Sequence, residues 1–501
     1  MVALVLRIDD GDVVLRRASA AIIALVGVTG CQKLFDVSGG HTGDGGMGGD
    51  APIGTAVTGT YGFTDVVNGS DNVPKASAGM YSGLTATVML DDGATPPVAT
   101  VAGTFQFEVE HPGQRYVVSL STDSFTERID STAAQLTLSD HLYGRLDRDP
   151  VPNGTELEFT DQGLASGTAY PTVYTTGLWG QTTLPPFASG SESFKLPWPN
   201  VTSLSGPLGL LDSTKFDQLF VGLVDPVGSH YALDAVAILD LDMTAGGVFS
   251  VKASINDFLL DQCVSVMAPI GDELTRIENA GFGGALHGVW RINAQPTTEY
   301  GVGAGLQIAF EQTTANANET VGYSIPFPGH VPVLGMTTYA DRPLAYGSDT
   351  PILGANASDH YVLPAASCSN PSIVPAEVAL PTRASLSGLM LDADNLDFVV
   401  DRSTPQLLEW TNTPGKVDAS RVDLLVLGDD GKGNTTLTTI AVYFSSTNGV
   451  LIDPALLESG VTYGFRITTL SGYPNVANGD FATAQFPFED AYAFPGTFVA
   501  R

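Results

Sequence analysis

From Thr55 onward, apolar residues recur at every second position in short runs bounded by Gly or Pro. A chain with that period can bury only one face of an extended strand at a time, so it must build sheets that pack against one another. Thr104-Phe105-Gln106-Phe107-Glu108-Val109 is one such run, with Phe105, Phe107 and Val109 on the inward side, and Tyr116-Val117-Val118-Ser119-Leu120 follows it. Further strands are expected at 135–138, 157–160, 235–241, 248–255 and 306–311. Helical spacing sustained over eleven or more residues is nearly absent. Its best example, Ser213 to Leu223 with Phe216, Leu219, Phe220 and Leu223 in step, predicts one short helix. The expected fold class is all-β: multidomain β-sandwiches with a larger central β-barrel or sandwich region.

The 501 residues exceed what one core ordinarily organises, so three or four domains are expected. With 56 Gly and 31 Pro the chain is rich in turns. Acidic residues outnumber basic ones 54 to 22, giving a formal charge of −32. That balance excludes nucleic acid as a partner, since no basic stripe is present to displace counterions from phosphates. It also disfavours peripheral attraction to anionic lipid. The charge reads as solubility, with Ca2+ in acidic loops as the alternative.

The N-terminal segment carries an address. Arg16-Arg17, the apolar run Ala18 to Val28, and Thr29-Gly30-Cys31 form a secretory signal too short to span a bilayer as a permanent helix. Val28-Thr29-Gly30-Cys31 resembles the bacterial lipobox, with Val in place of the usual Leu. That resemblance implies a diacylglyceryl thioether on Cys31, which would become the first residue of the mature chain. The alternative is an ordinary signal peptide with an incidental Cys. Asp9, Asp10 and Asp12 oppose a positive n-region, so translation is expected to begin near Val13 to Leu15. Gln32 stands where inner-membrane retention signals often carry Asp, which favours outer-membrane or cell-surface delivery. The Gly-rich stretch within 32–53 then reads as a tether.

Three folded regions follow. Residues 54–125 resemble the carboxypeptidase-regulatory, transthyretin-like sandwich, on Val57-Thr58-Gly59-Thr60, Asp91-Asp92-Gly93, Gly103 to Phe107 and Pro112-Gly113 before Tyr116, with an unusually long insert between Gly62 and Leu84. Residues 126–375 form the central β-rich domain. Residues 376–501 resemble a fibronectin type III sandwich. That resemblance implies that Trp410 is its core Trp, that Leu457 caps the core, and that Tyr463 makes a tyrosine corner. The whole arrangement resembles envelope lipoproteins of myxobacteria, a likeness that brings no known activity.

No catalytic residues emerge. With Cys31 lipidated, Cys263 and Cys368 remain as an even pair in an oxidising compartment, either bridged by a disulfide or left as two thiols, with Cys368 in a loop. The seven His residues show no zinc spacing, and no Gly-x-Ser-x-Gly elbow or phosphate-binding loop occurs. Acidic turns at 240–242, 392–397 and 429–434 depart from the twelve-residue calcium loop and read as hairpin turns, so no metal and no cofactor is expected. Trp179, Trp198 and Trp290 are expected in the core, with sugar or peptide contact as the alternative. The expected role is a non-enzymatic binding, adhesion or scaffolding module, held to a membrane by its lipid and offering loops to a protein or glycan. The alternative is an envelope hydrolase with paired carboxylates, or a Ser beside a His, in 126–375.

Overall fold

The structure is a computed structural model. It describes residues 54–501 except 123–125, 146, 150, 161–169, 184–192, 204–207, 252–255, 258–261, 297–305, 344–350, 364–366, 374–376, 392–398 and 430–434, and also the two-residue strands Ile8–Asp9 and Asp12–Val13. Among the described residues the molecule is all-β, with one α-helix, Ile270–Asn279, and a few single 3-10 turns. No helix among the described residues is long and apolar enough to cross a membrane.

One sheet of 19 strands is the spine. Its pairing starts at Thr202–Ser203 and continues through Gly180–Thr183, Tyr170–Thr175, Leu219–Val227 and His230–Leu239. Leu306–Gln312, Ala285–Gln295, Val331–Pro343 and Pro351–Val362 come next. The order then passes to Phe488–Ala493, Thr462–Ser471, Ala419–Asp429 and Thr435–Ser445. It ends with Thr126–Ser131, Tyr116–Ser121 and Thr85–Leu90. Every step of this path is antiparallel except the one joining Thr435–Ser445 to Thr126–Ser131, and beside it Val399–Val400 pairs in parallel with Thr497–Ala500, which pairs with Thr462–Ser471. No pairing among the described residues closes the central strands into a barrel, so of the two forms expected for this region the packed sheets are the one present.

Because the spine twists through so many strands, smaller elements cover it patch by patch. A five-stranded sheet built on Thr55–Asn68 packs on one face at the N-terminal end, and a four-stranded sheet containing Gln406–Asn412 packs on the other. The alternation is visible within one strand: Tyr116, Val118 and Leu120 face the first sheet, while Val117 faces the second. Glu156–Thr160 and its partners cover Val173, Val221 and Ala237. Gln262–Ala268, with Ala317–Tyr323 and Ser367–Ile373, covers Trp290, Ile292 and Met336. The helix lies over a floor of small side chains, with Ile277 against Ala340, Ala355, Ala357, Ala491 and Ala493.

Several boundaries are corrected. Strands Thr126–Ser131 and Gln135–Tyr143 pair with N-terminal elements, so the break expected at 125 falls inside a sandwich. The break at 375 is likewise crossed, since Pro351–Val362 pairs with Phe488–Ala493. The long insert after Gly62 is a hairpin, Pro74–Met80 folding back on 62–68. No helix forms at 213–223. Phe216 takes a left-handed conformation (φ 62°) after a single 3-10 turn, and the apolar run from Leu219 becomes a strand buried on both faces.

Candidate functional site

Of the residues singled out in sequence, Cys31 lies outside the described ones. Cys263 and Cys368 form a disulfide with Cα atoms 5.3 Å apart. Cys368 sits on strand Ser367–Ile373 and not in a loop, because that strand pairs in parallel with Gln262–Ala268. Trp410 is buried in the C-terminal core. Tyr463 is buried beside Leu457, and its hydroxyl accepts the Glu458 amide at 2.7 Å and donates to the Leu456 carbonyl at 3.5 Å. Trp179, Trp198 and Trp290 are fully buried, which removes them as ligand platforms. The acidic stretch 392–397 and most of 429–434 lie outside the described residues. Asp242 is used locally, accepting the Ser213 amide at 2.7 Å. Among the described residues no group of three or more His, Cys, Asp and Glu converges to hold a metal.

Two polar constellations escaped sequence reasoning. The first lies where Ala317–Tyr323 packs over the spine. Glu319 Oε2 accepts from the Ser229 hydroxyl at 2.8 Å and lies 2.9 Å from His230 Nδ1. Glu311 hydrogen-bonds to Glu319, and its own Oε2 accepts Trp290 Nε1–H at 2.8 Å. Burial, followed by the neighbouring carboxylate, pushes Glu311 up to about 7, so the pair shares one proton at moderate pH. Ser229 donates to the carboxylate, not to the imidazole, so nucleophile and base are not arranged for acyl transfer. A proton-sharing carboxyl pair is what the geometry provides.

The second constellation is the opposite face of the same strands. On Ala285–Gln295 the residues Trp290, Ile292 and Ala294 enter the core, which turns Arg291, Asn293 and Gln295 to the other side. Strand pairing aligns that side across the spine. Arg291 is opposite Gly335, which is opposite His360, and Ser358 is opposite Asp490. Asn356 is opposite Tyr492, and Tyr492 is opposite Thr468. Arg421, Asp423 and Arg466 complete the band: Arg421 Nε donates to Asp423 Oδ1 at 2.8 Å and Arg466 Nε to Asp423 Oδ2 at 2.7 Å.

This face is deeply set yet wetted. Arg291, Tyr339, Asp341 and Asp490 keep partial exposure, while His360, Asn356, Ser358 and Thr468 are buried beneath them. Burial pushes Asp490 up to about 7 and pulls His360 down to about 3, with the Arg291 charge adding to the latter shift. The two guanidinium groups beside Asp423 hold its carboxyl below the ordinary value in spite of complete burial. Most telling are the polar atoms without a partner among the described residues: His360 Nδ1, Thr468 Oγ1, Asn293 Oδ1, and both Gln295 amide atoms. Each such atom costs about 1–3 kcal/mol unless something bonds to it. Elsewhere, a depression of about 490 Å³ bounded by Asp401, Arg402, Leu457 and Arg501 contains no buried orphaned group.

No protein-family model matches the chain, and no curated protein matches it. Among solved structures it is similar to the crystal structure of the chicken CNTN1 FN1–FN3 domains, at 8% identity over 84% of this chain and 90% of that one, with a TM-score of 0.11. A superposition that loose adds nothing to the fold described by the strand pairing itself.

Proposed function

We propose that this is an exported, lipid-anchored scaffold whose spine presents a polar binding face to an extracytoplasmic protein or glycan. The observation that carries the reading is the set of orphaned hydrogen-bonding atoms on one sheet face, under a rim that water reaches. A face built only for stability would pair those atoms or replace them with apolar groups. The Cys263–Cys368 bridge supports folding in an oxidising compartment, and the lipobox-like Val28 to Cys31 supplies the anchor. Expression in a bacterial host with radiolabelled palmitate tests the anchoring. Label and membrane association should be present in the parent chain and absent from Cys31→Ser. Equal labelling of the two, or an unprocessed cytosolic product, would overturn it.

A second reading is favoured by one observation, the proton-sharing Glu311–Glu319 pair in the central region. On that reading the chain is an envelope hydrolase acting on glycan or peptide. Turnover of a polysaccharide or peptide substrate that disappears in Glu319→Gln would replace the binding role with catalysis.

A further inference from the structure

We infer that the polar face holds an uncharged oligosaccharide, laid across Ala285–Gln295 from Val331–Pro343 on one side to Leu306–Gln312 and His230–Leu239 on the other. This rests on the binding role proposed above and names its ligand class. A sugar ring offers two kinds of surface, an apolar C–H face that stacks on aromatic rings and a rim of hydroxyls that each donate and accept. Both counterparts are present. His287 and Tyr339 stack with centroids 4.9 Å apart and 21° between planes, and Tyr231 and Phe310 stack at 5.0 Å and 12°. All four rings keep partial exposure. His287 is paired with Tyr339, and Arg291 with Phe310, which is paired in turn with Tyr231. The two stacks are therefore offset by four residues, about 13 Å, along the strand direction, and they lie to either side of Ala285–Gln295, the second on Leu306–Gln312 and His230–Leu239. That span suits a chain of sugars, not a single ring.

On the same face, Arg291 and Thr337 near the stacks and Asn293 and Gln295 farther along the strand supply the groups a hydroxyl rim needs. Arg291 donates to the Thr337 hydroxyl at 3.1 Å, and His360 Nδ1, Asn293 Oδ1 and the Gln295 amide have no partner among the described residues. An extended peptide is disfavoured at this place. Peptides add to a sheet through unpaired backbone at an edge, whereas each of these strands is hydrogen-bonded on both sides. An acidic sugar is disfavoured too, because Asp341 and Asp490 stand at the wetted rim of a chain with a formal charge of −32.

The test uses the detergent-solubilised full chain and isothermal titration with chitotetraose, cellotetraose and maltotetraose, alongside a hyaluronan tetrasaccharide and a mixed peptide pool. One of the three neutral tetrasaccharides should bind. Tyr339→Ala and Arg291→Gln should each weaken it about tenfold or more, Tyr339→Phe should keep it within about twofold, and Leu389→Ser, exposed on the remote strand Leu389–Met390, should leave it unchanged. Circular dichroism checks folding. If Tyr339→Ala unfolds, the part-exposed His287→Ala takes its place. Binding of none of the neutral sugars, or binding indifferent to the folded variants, would overturn the inference. Peptide binding weakened by the same variants would sink the sugar and keep the binding role. If no sugar and no peptide binds, both fall.

Discussion

Asp490 and Glu311 each hold a proton up to about pH 7, and burial is the largest cause in both. Unfolded, they would release it near 3.8 and 4.5. Their contribution to stability is therefore complete below about pH 4, declines as pH rises, and is lost above about pH 7. Asp423 runs the other way: its depressed value gives stability that is present above 3.8 and lost only in stronger acid, so the windows do not overlap. The urea midpoint, followed by fluorescence of the buried tryptophans, should fall between pH 5 and pH 8. Asp490→Asn should exceed the parent at pH 8 by clearly more than at pH 5. Identical midpoints at pH 8 would mean that Asp490 is not desolvated as described. At this scale the residues legible in sequence were those with local signatures, such as Tyr463, whose hydroxyl bonds backbone five and seven positions upstream. His360 and Asn293 had no local signature, because what makes them notable is a neighbour that does not bond to them.

At the scale of elements, period-two patterning located most strands, and Phe105, Phe107 and Val109 do face inward. The single helix escaped because it spans ten residues, too short for its spacing of Ile270, Leu274 and Ile277 to stand out. The apolar run after Phe216 misled for the opposite reason. Burial on both faces removes alternation, and helical spacing then arises by coincidence. Within the cap formed by Ala317–Tyr323, Gln262–Ala268 and Ser367–Ile373, the Cys263–Cys368 bridge joins two of the three strands across a sequence separation of 105. On the chain-entropy argument a loop of that size stabilises the native state by about 4–5 kcal/mol. Replacing both cysteines with Ala should lower the melting temperature by several degrees without changing the far-ultraviolet dichroism at 25 °C. A double variant that melts with the parent would show that the bridge does not stabilise the pairing of these two strands.

At the scale of the whole molecule, three regions read as separate in sequence share one hydrogen-bonded spine. The C-terminal strands continue the central sheet through Phe488–Ala493, and the N-terminal strands join it through the parallel step at Thr126–Ser131. Deleting 376–501 would uncover the edge of Pro351–Val362 and the alanine floor under the helix. Such an edge invites pairing between molecules. The truncated chain should aggregate, whereas the parent should melt in one dominant calorimetric transition. A soluble, folded 1–375 fragment would show the regions to be independent after all.

Sequence alone determined the class of structure, since alternation along a strand is a local property that survives any tertiary arrangement. It also determined the charge balance and the even cysteine pair in the folded part. Tertiary structure alone decided which strands are neighbours, because strands distant in the chain meet only by pairing. That pairing made one spine of three apparent domains, brought Glu311 to Glu319, and set His360 beside Gly335 and Arg291 on a shared face. Whether a polar side chain is bonded, charged or left open depends on those neighbours, and composition and spacing carry no record of them.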